Sequence, residues 1–186
     1  MVRLLFALTL LFLTTALAWA AEADIAAHPE CRYCAMDRQQ FAHSRMLIRY
    51  QDGSRTATCS LRCAAVELAA ELGKQPSAIE VGDYHSKQLI DAEWAYWVIG
   101  GSKAGVMSQR AKWAFAKRQA AEEFIAAHGG TLVGFEQALE AAYADLYQDS
   151  RALRQRRQNQ GEKPGQGHEH HSPPATNNPH QGHHHQ

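Results

Sequence analysis

The sequence predicts an α+β fold made of two small ββα-type units, a C-terminal helix and a disordered His-rich tail. Three observations carry this. Short segments with alternating apolar residues come in pairs, and each pair precedes an Ala-rich stretch of helix length. The two helical stretches echo one another: Ala64-Ala65-x-Glu67-x-x-Ala70-x-x-Gly73 matches Ala120-Ala121-x-Glu123-x-x-Ala126-x-x-Gly129 at a constant offset of 56 residues. Alanine is the best helix former, so the echo alone does not require a repeat. From about Gly161 the composition shifts to Gly, Pro, Gln, Asn and His, which cannot bury a core.

The elements follow in chain order. Met46, Ile48 and Tyr50 alternate along a strand, and Asp52-Gly53 forms a hairpin turn to a short strand at Arg55–Thr58. Ser60 reads as the N-cap of a helix over Leu61–Leu72, which Gly73 stops. Strands are expected at Ala78–Tyr84, Ala95–Ile99, Lys112–Ala116 and Thr131–Val133, with Asp91 capping a single turn before the second of these. A helix is expected over Lys117–His128, ended by Gly129-Gly130. A longer one runs from Phe135 to about Arg157, with Leu139, Ala142, Tyr143, Leu146 and Leu153 on one side.

The N-terminus has the form of an export signal over residues 1–20. Arg3 is a short positive region, Leu4 to Leu17 an apolar run, and Ala18-Trp19-Ala20 a small-residue cleavage site. The first cysteine, Cys31, lies well beyond it, so no lipid attachment site is expected there. The chain is therefore expected in the periplasm with its signal removed. Lys and Arg number 19 against 19 Asp and Glu, and no basic run with interleaved aromatics occurs, which excludes a nucleic-acid surface. The Gly100 to Gly105 loop lacks the spacing of a phosphate cradle, and neither a nucleophile elbow nor an H-E-x-x-H helix is present. Nothing here reads as an enzyme.

The chemistry rests on sulfur. Cys31-Arg32-Tyr33-Cys34-Ala35-Met36 puts two thiols and a thioether within six residues, and Cys59 and Cys63 follow as a second pair at the start of a helix, one turn apart. A helix N-terminus is expected to lower the pKa of such thiols. Three readings stay open: a soft-metal site, a structural zinc site of four thiolates, and disulfide formation or thiol exchange. Thioether beside thiolate favours Cu(I) over Zn(II). Apart from Met1, only Met36, Met46 and Met107 are available; Met46 is assigned to the core, and Met107 sits in a Gly-rich loop where packing explains it less well. Cys34, Met36 and Met107 would suffice for Cu(I) if the fold joins them. His28, His43, His85 and His128 read first as surface or packing residues. The other seven of the 11 histidines lie in the tail, as His168, His170, His171, His180 and His183 to His185, where short imidazole clusters bind divalent metals modestly.

Taken together, these residues resemble the NosL family of nitrous oxide reductase accessory proteins. The likeness covers about residues 30–140. It rests on Cys31-x-x-Cys34-x-Met36, the strand and Asp52-Gly53 hairpin after it, and Leu89-Ile90-Asp91-Ala92-Glu93-x-Ala95-Tyr96-x-Val98 leading to the Gly-rich turn. Met107, Ala114-Phe115, the helix at 117–128 and Gly129-Gly130 complete it. The resemblance implies a Cu(I)-binding metallochaperone that supplies apo nitrous oxide reductase with the help of a membrane ABC-type complex. It implies a metal-binding domain over residues 28–150, with 151–186 as helix end and tail. The family's Cys-Gly-Met motif maps onto Cys34-Ala35-Met36 and its downstream methionine onto Met107. Two departures leave the client open: family members are often lipoproteins, and the pair Cys59/Cys63 is extra and resembles a TRASH-type module. Another cuproprotein is an alternative client. A thiol–disulfide oxidoreductase in cuproprotein assembly and a structural Zn(II) interaction module are alternative functions.

Overall fold

The structure is a computed structural model, and it describes residues 23–159. The expected export signal and the His-rich tail lie outside the described residues. Strands β1 (Met46–Tyr50) and β2 (Arg55–Thr58) precede helix α1 (Leu61–Ala70); β3 (Pro76–Gly82) and β4 (Leu89–Asp91) follow. Then come β5 (Tyr96–Ile99), β6 (Lys112–Phe115), α2 (Arg118–His128), β7 (Thr131–Val133) and the long α3 (Phe135–Asn159). A short helical turn spans residues 23–27. Among the described residues no helix is long and apolar enough to cross a membrane.

The strands form two antiparallel sheets, in the orders β2-β1-β3-β4 and β6-β5-β7. The echo between the two helices now has a structural counterpart. In each half the first strand lies central, its hairpin partner on one side, and the strand that follows the helix on the other. The units are thus ββα with a closing strand, the first carrying β4 as an addition. They differ in the connection between the first two strands, a tight turn at Asp52-Gly53 in one and a long loop over residues 100–111 in the other. That loop carries Met107.

Several boundaries shift for physical reasons. The strand expected at Ala78–Tyr84 begins at Pro76, because a proline at the first strand position needs no donor, and it ends at Gly82. There the Ala42 carbonyl oxygen occupies the space a Cβ would need, so only glycine lets the chain pass. Asp83 then accepts from Ser86 N and Oγ and, across to the other sheet, from the Ala116 amide at 2.8 Å. Strand β4 was not anticipated from sequence; its three residues are too few for a pattern, and pairing with β3 makes it a strand. Asp91 at its end does cap the turn, accepting from the amides of Glu93 and Trp94. Ser60 holds the N-cap position of α1 in extended backbone, but its hydroxyl makes no capping bond.

Two buried clusters hold the fold. The first joins Met46, Ile48 and Tyr50 of β1 with Leu61, Ala64 and Ala65 of α1, Trp97 of β5, and Phe135, Ala138 and Ala142 of α3. Met46 is fully buried there, as expected. The second gathers Cys31, Cys59 and Cys63 with Val98, Trp113, Phe115 and Phe124. Beside them lies a buried ionic cluster. Arg38 and Arg45 are both wholly buried and share the carboxylate of Asp24, Arg38 Nη2 at 2.7 Å and Arg45 Nη2 at 2.9 Å. Arg38 also donates to the carbonyls of His28, Met46 and Thr58. One side chain therefore ties the N-terminal segment to the end of β2, next to Cys59.

Candidate metal centre

Four cysteines from two sequence-distant pairs meet in one place. The sulfurs of Cys31, Cys34, Cys59 and Cys63 all lie within 4.8 Å of one another. Cys34 Sγ is 3.4 Å from Cys59 Sγ and 3.9 Å from Cys63 Sγ, and Cys59 and Cys63 are 3.9 Å apart. Four thiolates around one ion at about 2.3 Å stand about 3.8 Å apart along each tetrahedral edge. The set is therefore the right size for one ion, and all four are free thiols.

Local chain geometry explains the convergence. The register Met46↔Thr58 of the first hairpin puts Cys59 just past the end of β2. Cys63 lies in the first turn of α1 and Cys59 precedes the N-cap Ser60, so the two do not share a helix face as expected, yet their sulfurs stand 3.9 Å apart. The Cys31–Met36 loop is closed by Cys31 N donating to Met36 O at 2.9 Å and Ala35 N to Cys31 O at 2.9 Å, and is fixed to β2 by Arg32 N donating to Ala57 O at 3.1 Å. Within it the neighbouring amides of Tyr33 and Met36 favour the ionised forms of Cys31 and Cys34 respectively, against the cost of burial. Ser44 Oγ donates to the Cys59 carbonyl at 2.8 Å, holding the opposite wall.

Ala35 adopts a left-handed φ of +57°. Alanine is strained in that conformation. Ala35→Gly is expected to leave stability unchanged or to raise it by up to about 1 kcal/mol, opposite in sign to the usual cost of a glycine. Thermal melting of the metal-free protein measures this.

The thiols divide into two kinds. Cys31 is pushed strongly down, first by its hydrogen bond with Cys34 and then by those with Cys59 and Cys63, against the cost of burial. Cys34 is also lowered: its bond with Cys31 works the other way, but those with Cys59, Cys63 and the Met36 amide outweigh it. Cys59 and Cys63 are pushed up, first by hydrogen bonding to Cys31 and then to Cys34, with burial adding to it. Within this cluster the shared hydrogen bonds favour ionisation at the Cys31/Cys34 loop, and burial works against it at Cys59 and Cys63.

Sequence reading missed Glu67, Tyr33, Arg38 and the aromatic wall. Glu67 lies one turn beyond Cys63, is 1% exposed, and accepts from Tyr33 Oη at 2.6 Å and Tyr50 Oη at 2.9 Å. Burial, then Glu67, pushes both phenols above their ordinary range. Because Tyr33 sits between Cys31 and Cys34, this pair latches the cysteine loop to α1. The Cys63-x-x-x-Glu67 spacing, one helix face, was the available signal. The wall is built of Tyr84, Trp113, Phe115 and Phe124, with His43 5.4 Å from Trp113 and His85 5.3 Å from Tyr84 between ring centres. Burial lowers the His43 pKa. His85 and His128 pack on the same rings, and the described residues hold no other metal-sized group of His, Cys, Asp and Glu.

Met36 and Met107 are both half-buried and pack against the cysteine-containing cluster. Met107 itself has a left-handed φ of +57°. Its loop is held by α3: Gln109 N donates to Asp149 at 2.9 Å, and Arg110 and Lys112 both pair with Asp145.

No curated protein matches the chain. Among solved structures it is similar to the crystal structure of the copper chaperone NosL from Shewanella denitrificans, with 23% identity and a TM-score of 0.47 over 57% of this chain and 87% of that one. The NosL family model matches residues 22–143, more than half of the sequence, and the chain belongs to the NosL family.

Proposed function

We propose that this protein is a Cu(I)-binding metallochaperone, a carrier rather than an enzyme. The observation that carries the reading is the convergence of four thiols at metal-bridging distances in a chain of this family. The ligands are Cys31, Cys34, Cys59 and Cys63, with the thioethers of Met36 and Met107 as soft donors at the rim. Sulfur-only donors select Cu(I) or Zn(II) over harder ions. Cys34 is the half-exposed member of an otherwise buried set, which suits a cargo that must leave. Delivery proceeds by ligand exchange, a partner's donors displacing these sulfurs one at a time. Membership of the NosL family favours a cuproprotein client. Apo nitrous oxide reductase is the first candidate, reached with a membrane ABC-type complex after export through the signal at residues 1–20. The binding domain is residues 28–150.

Anaerobic titration of the reduced full chain against a chromogenic Cu(I) chelator tests this. One Cu(I) per chain, held against the chelator, is expected; no competition at any ratio refutes it. One observation favours a second reading, a structural Zn(II) site: four cysteine sulfurs within 4.8 Å of one another also fit a closed zinc centre. In that case zinc copurifies and chelation unfolds the protein, whereas a carrier stays folded when empty.

A further inference from the structure

The Cys31–Met36 loop is a closed turn, joined at its base. Glu30 and Asp37 pair there in an antiparallel bridge, Cys31 N donates to Met36 O at 2.9 Å, and Ala35 N donates to Cys31 O. Apart from the sulfurs themselves, two hydrogen bonds among the described residues tie this loop to the segment that carries Cys59 and Cys63. Near the base, Arg32 N donates to Ala57 O of β2 at 3.1 Å. Further out, next to Cys34, Tyr33 Oη donates to Glu67 Oε2 of α1 at 2.6 Å, the length of a charge-assisted bond. Arg32 Nε also stands 3.9 Å from this carboxylate, but its side chain is mostly in solvent and such a pair holds little.

Building on the reading of this chain as a Cu(I) carrier, we propose that Tyr33 and Glu67 are positioning residues whose hydrogen bond latches the cysteine loop onto α1, and that opening this latch sets how fast the metal leaves. An ion among the four sulfurs bridges the loop to the β2–α1 segment. The Tyr33–Glu67 bond bridges the same two parts, one turn beyond Cys63 on α1. It therefore holds the two cysteine pairs together before a metal arrives and resists their separation afterwards. Arg32 at the base acts as the hinge side, and Tyr33 as the free edge. Neither Tyr33 nor Glu67 is a ligand; both act through Cys31 and Cys34.

Tyr50 supplies an internal comparison. It donates to the other oxygen, Glu67 Oε1, at 2.9 Å, but it belongs to β1 and is buried in the first core cluster. Its bond holds the carboxylate without touching the loop. Losing either phenol removes one hydrogen bond from the same buried carboxylate, so a role confined to stability makes the two losses alike. A latch makes them differ, because only Tyr33 joins Glu67 to the cysteines. The loop is also the accessible side of the centre: Tyr33 and Cys34 reach solvent, whereas Cys59 and Cys63 have no exposed surface. An incoming donor meets Cys34 first, and reaches the two buried sulfurs only after the loop lifts.

The test compares Tyr33→Phe and Tyr50→Phe in the reduced full-length chain under anaerobic conditions. Each variant keeps the ring and its packing and loses one hydroxyl. In stopped flow, Tyr33→Phe is expected to release Cu(I) to a chromogenic chelator about tenfold faster or more, and Tyr50→Phe to stay within about threefold of the wild type. A second readout needs no metal. Alkylation of Cys59 and Cys63 by iodoacetamide, followed by mass spectrometry, is expected to run about tenfold faster in Tyr33→Phe and at the wild-type rate in Tyr50→Phe. Wild-type release or wild-type alkylation in Tyr33→Phe, or equal gains in both variants, overturns the latch and leaves the carrier reading in place. If the wild-type chain binds no Cu(I), the carrier reading falls, and the alkylation rates still decide whether Tyr33 and Glu67 hold the loop shut.

Discussion

Asp24→Ala is expected to destabilise the protein by about 3–5 kcal/mol, the cost of removing one partner from a buried ion pair. Arg38 and Arg45 have no exposed surface, and both are hydrogen-bonded to this carboxylate. Without it, two guanidinium groups lose an anionic partner where water cannot replace it. The change should appear in urea unfolding as a lower midpoint with an unchanged slope. The effect should also reach the metal centre. Arg38 joins the His28 carbonyl, ahead of the cysteine loop, to the Thr58 carbonyl, just before Cys59. Even where the variant is folded, its Cu(I) affinity should fall by about 10- to 100-fold, as for other losses of support behind a ligand. Wild-type stability in Asp24→Ala would mean that Arg38 and Arg45 are held mainly by the carbonyls around them.

The largest loss of metal binding is expected from Cys34→Ser. Cys34 lies within 4 Å of both Cys59 and Cys63, and it is the half-exposed member of the four. Its replacement should weaken Cu(I) binding by at least about a hundredfold, more than Cys31→Ser, because Cys34 joins the loop to both sulfurs of the second pair. The hydroxyl of serine keeps the shape but offers a hard donor to a soft ion. Chelator competition on the two variants, side by side, gives the comparison. Equal losses would place Cys31 and Cys34 on the same footing and remove the special role of Cys34.

The parts of this protein that are local were legible in its sequence. The Asp52-Gly53 hairpin, the helices around Ala64 and Ala121, the Asp91 turn and the closing strand at Thr131 each carry a short-range signal of turn chemistry or period. Each cysteine pair was legible for the same reason, as spacing within a loop or around the start of a helix. That the two pairs meet was not. It depends on the β1–β2 register and on two contacts between residues 20 or more positions apart, Arg32 pairing with Ala57 and Arg38 reaching Thr58. Buried charges were invisible for a related reason. Arg38, Arg45 and Glu67 look like ordinary surface residues until the fold supplies partners for them. Glu67 in particular reads as one more position in an Ala-rich helix, and only Tyr33 and Tyr50 show it to be the anchor of the cysteine loop.

The central claim is that one ion sits among sulfurs contributed by both halves of the cysteine pattern. X-ray absorption at the copper edge of the reduced, Cu(I)-loaded full chain tests this most directly. The account predicts a coordination shell of sulfur alone at about 2.3 Å, the length of a metal–thiolate bond, with a reduced sulfur count in Cys59→Ser/Cys63→Ser. A shell dominated by imidazole nitrogen, or a sulfur count unaffected by losing Cys59 and Cys63, would contradict it.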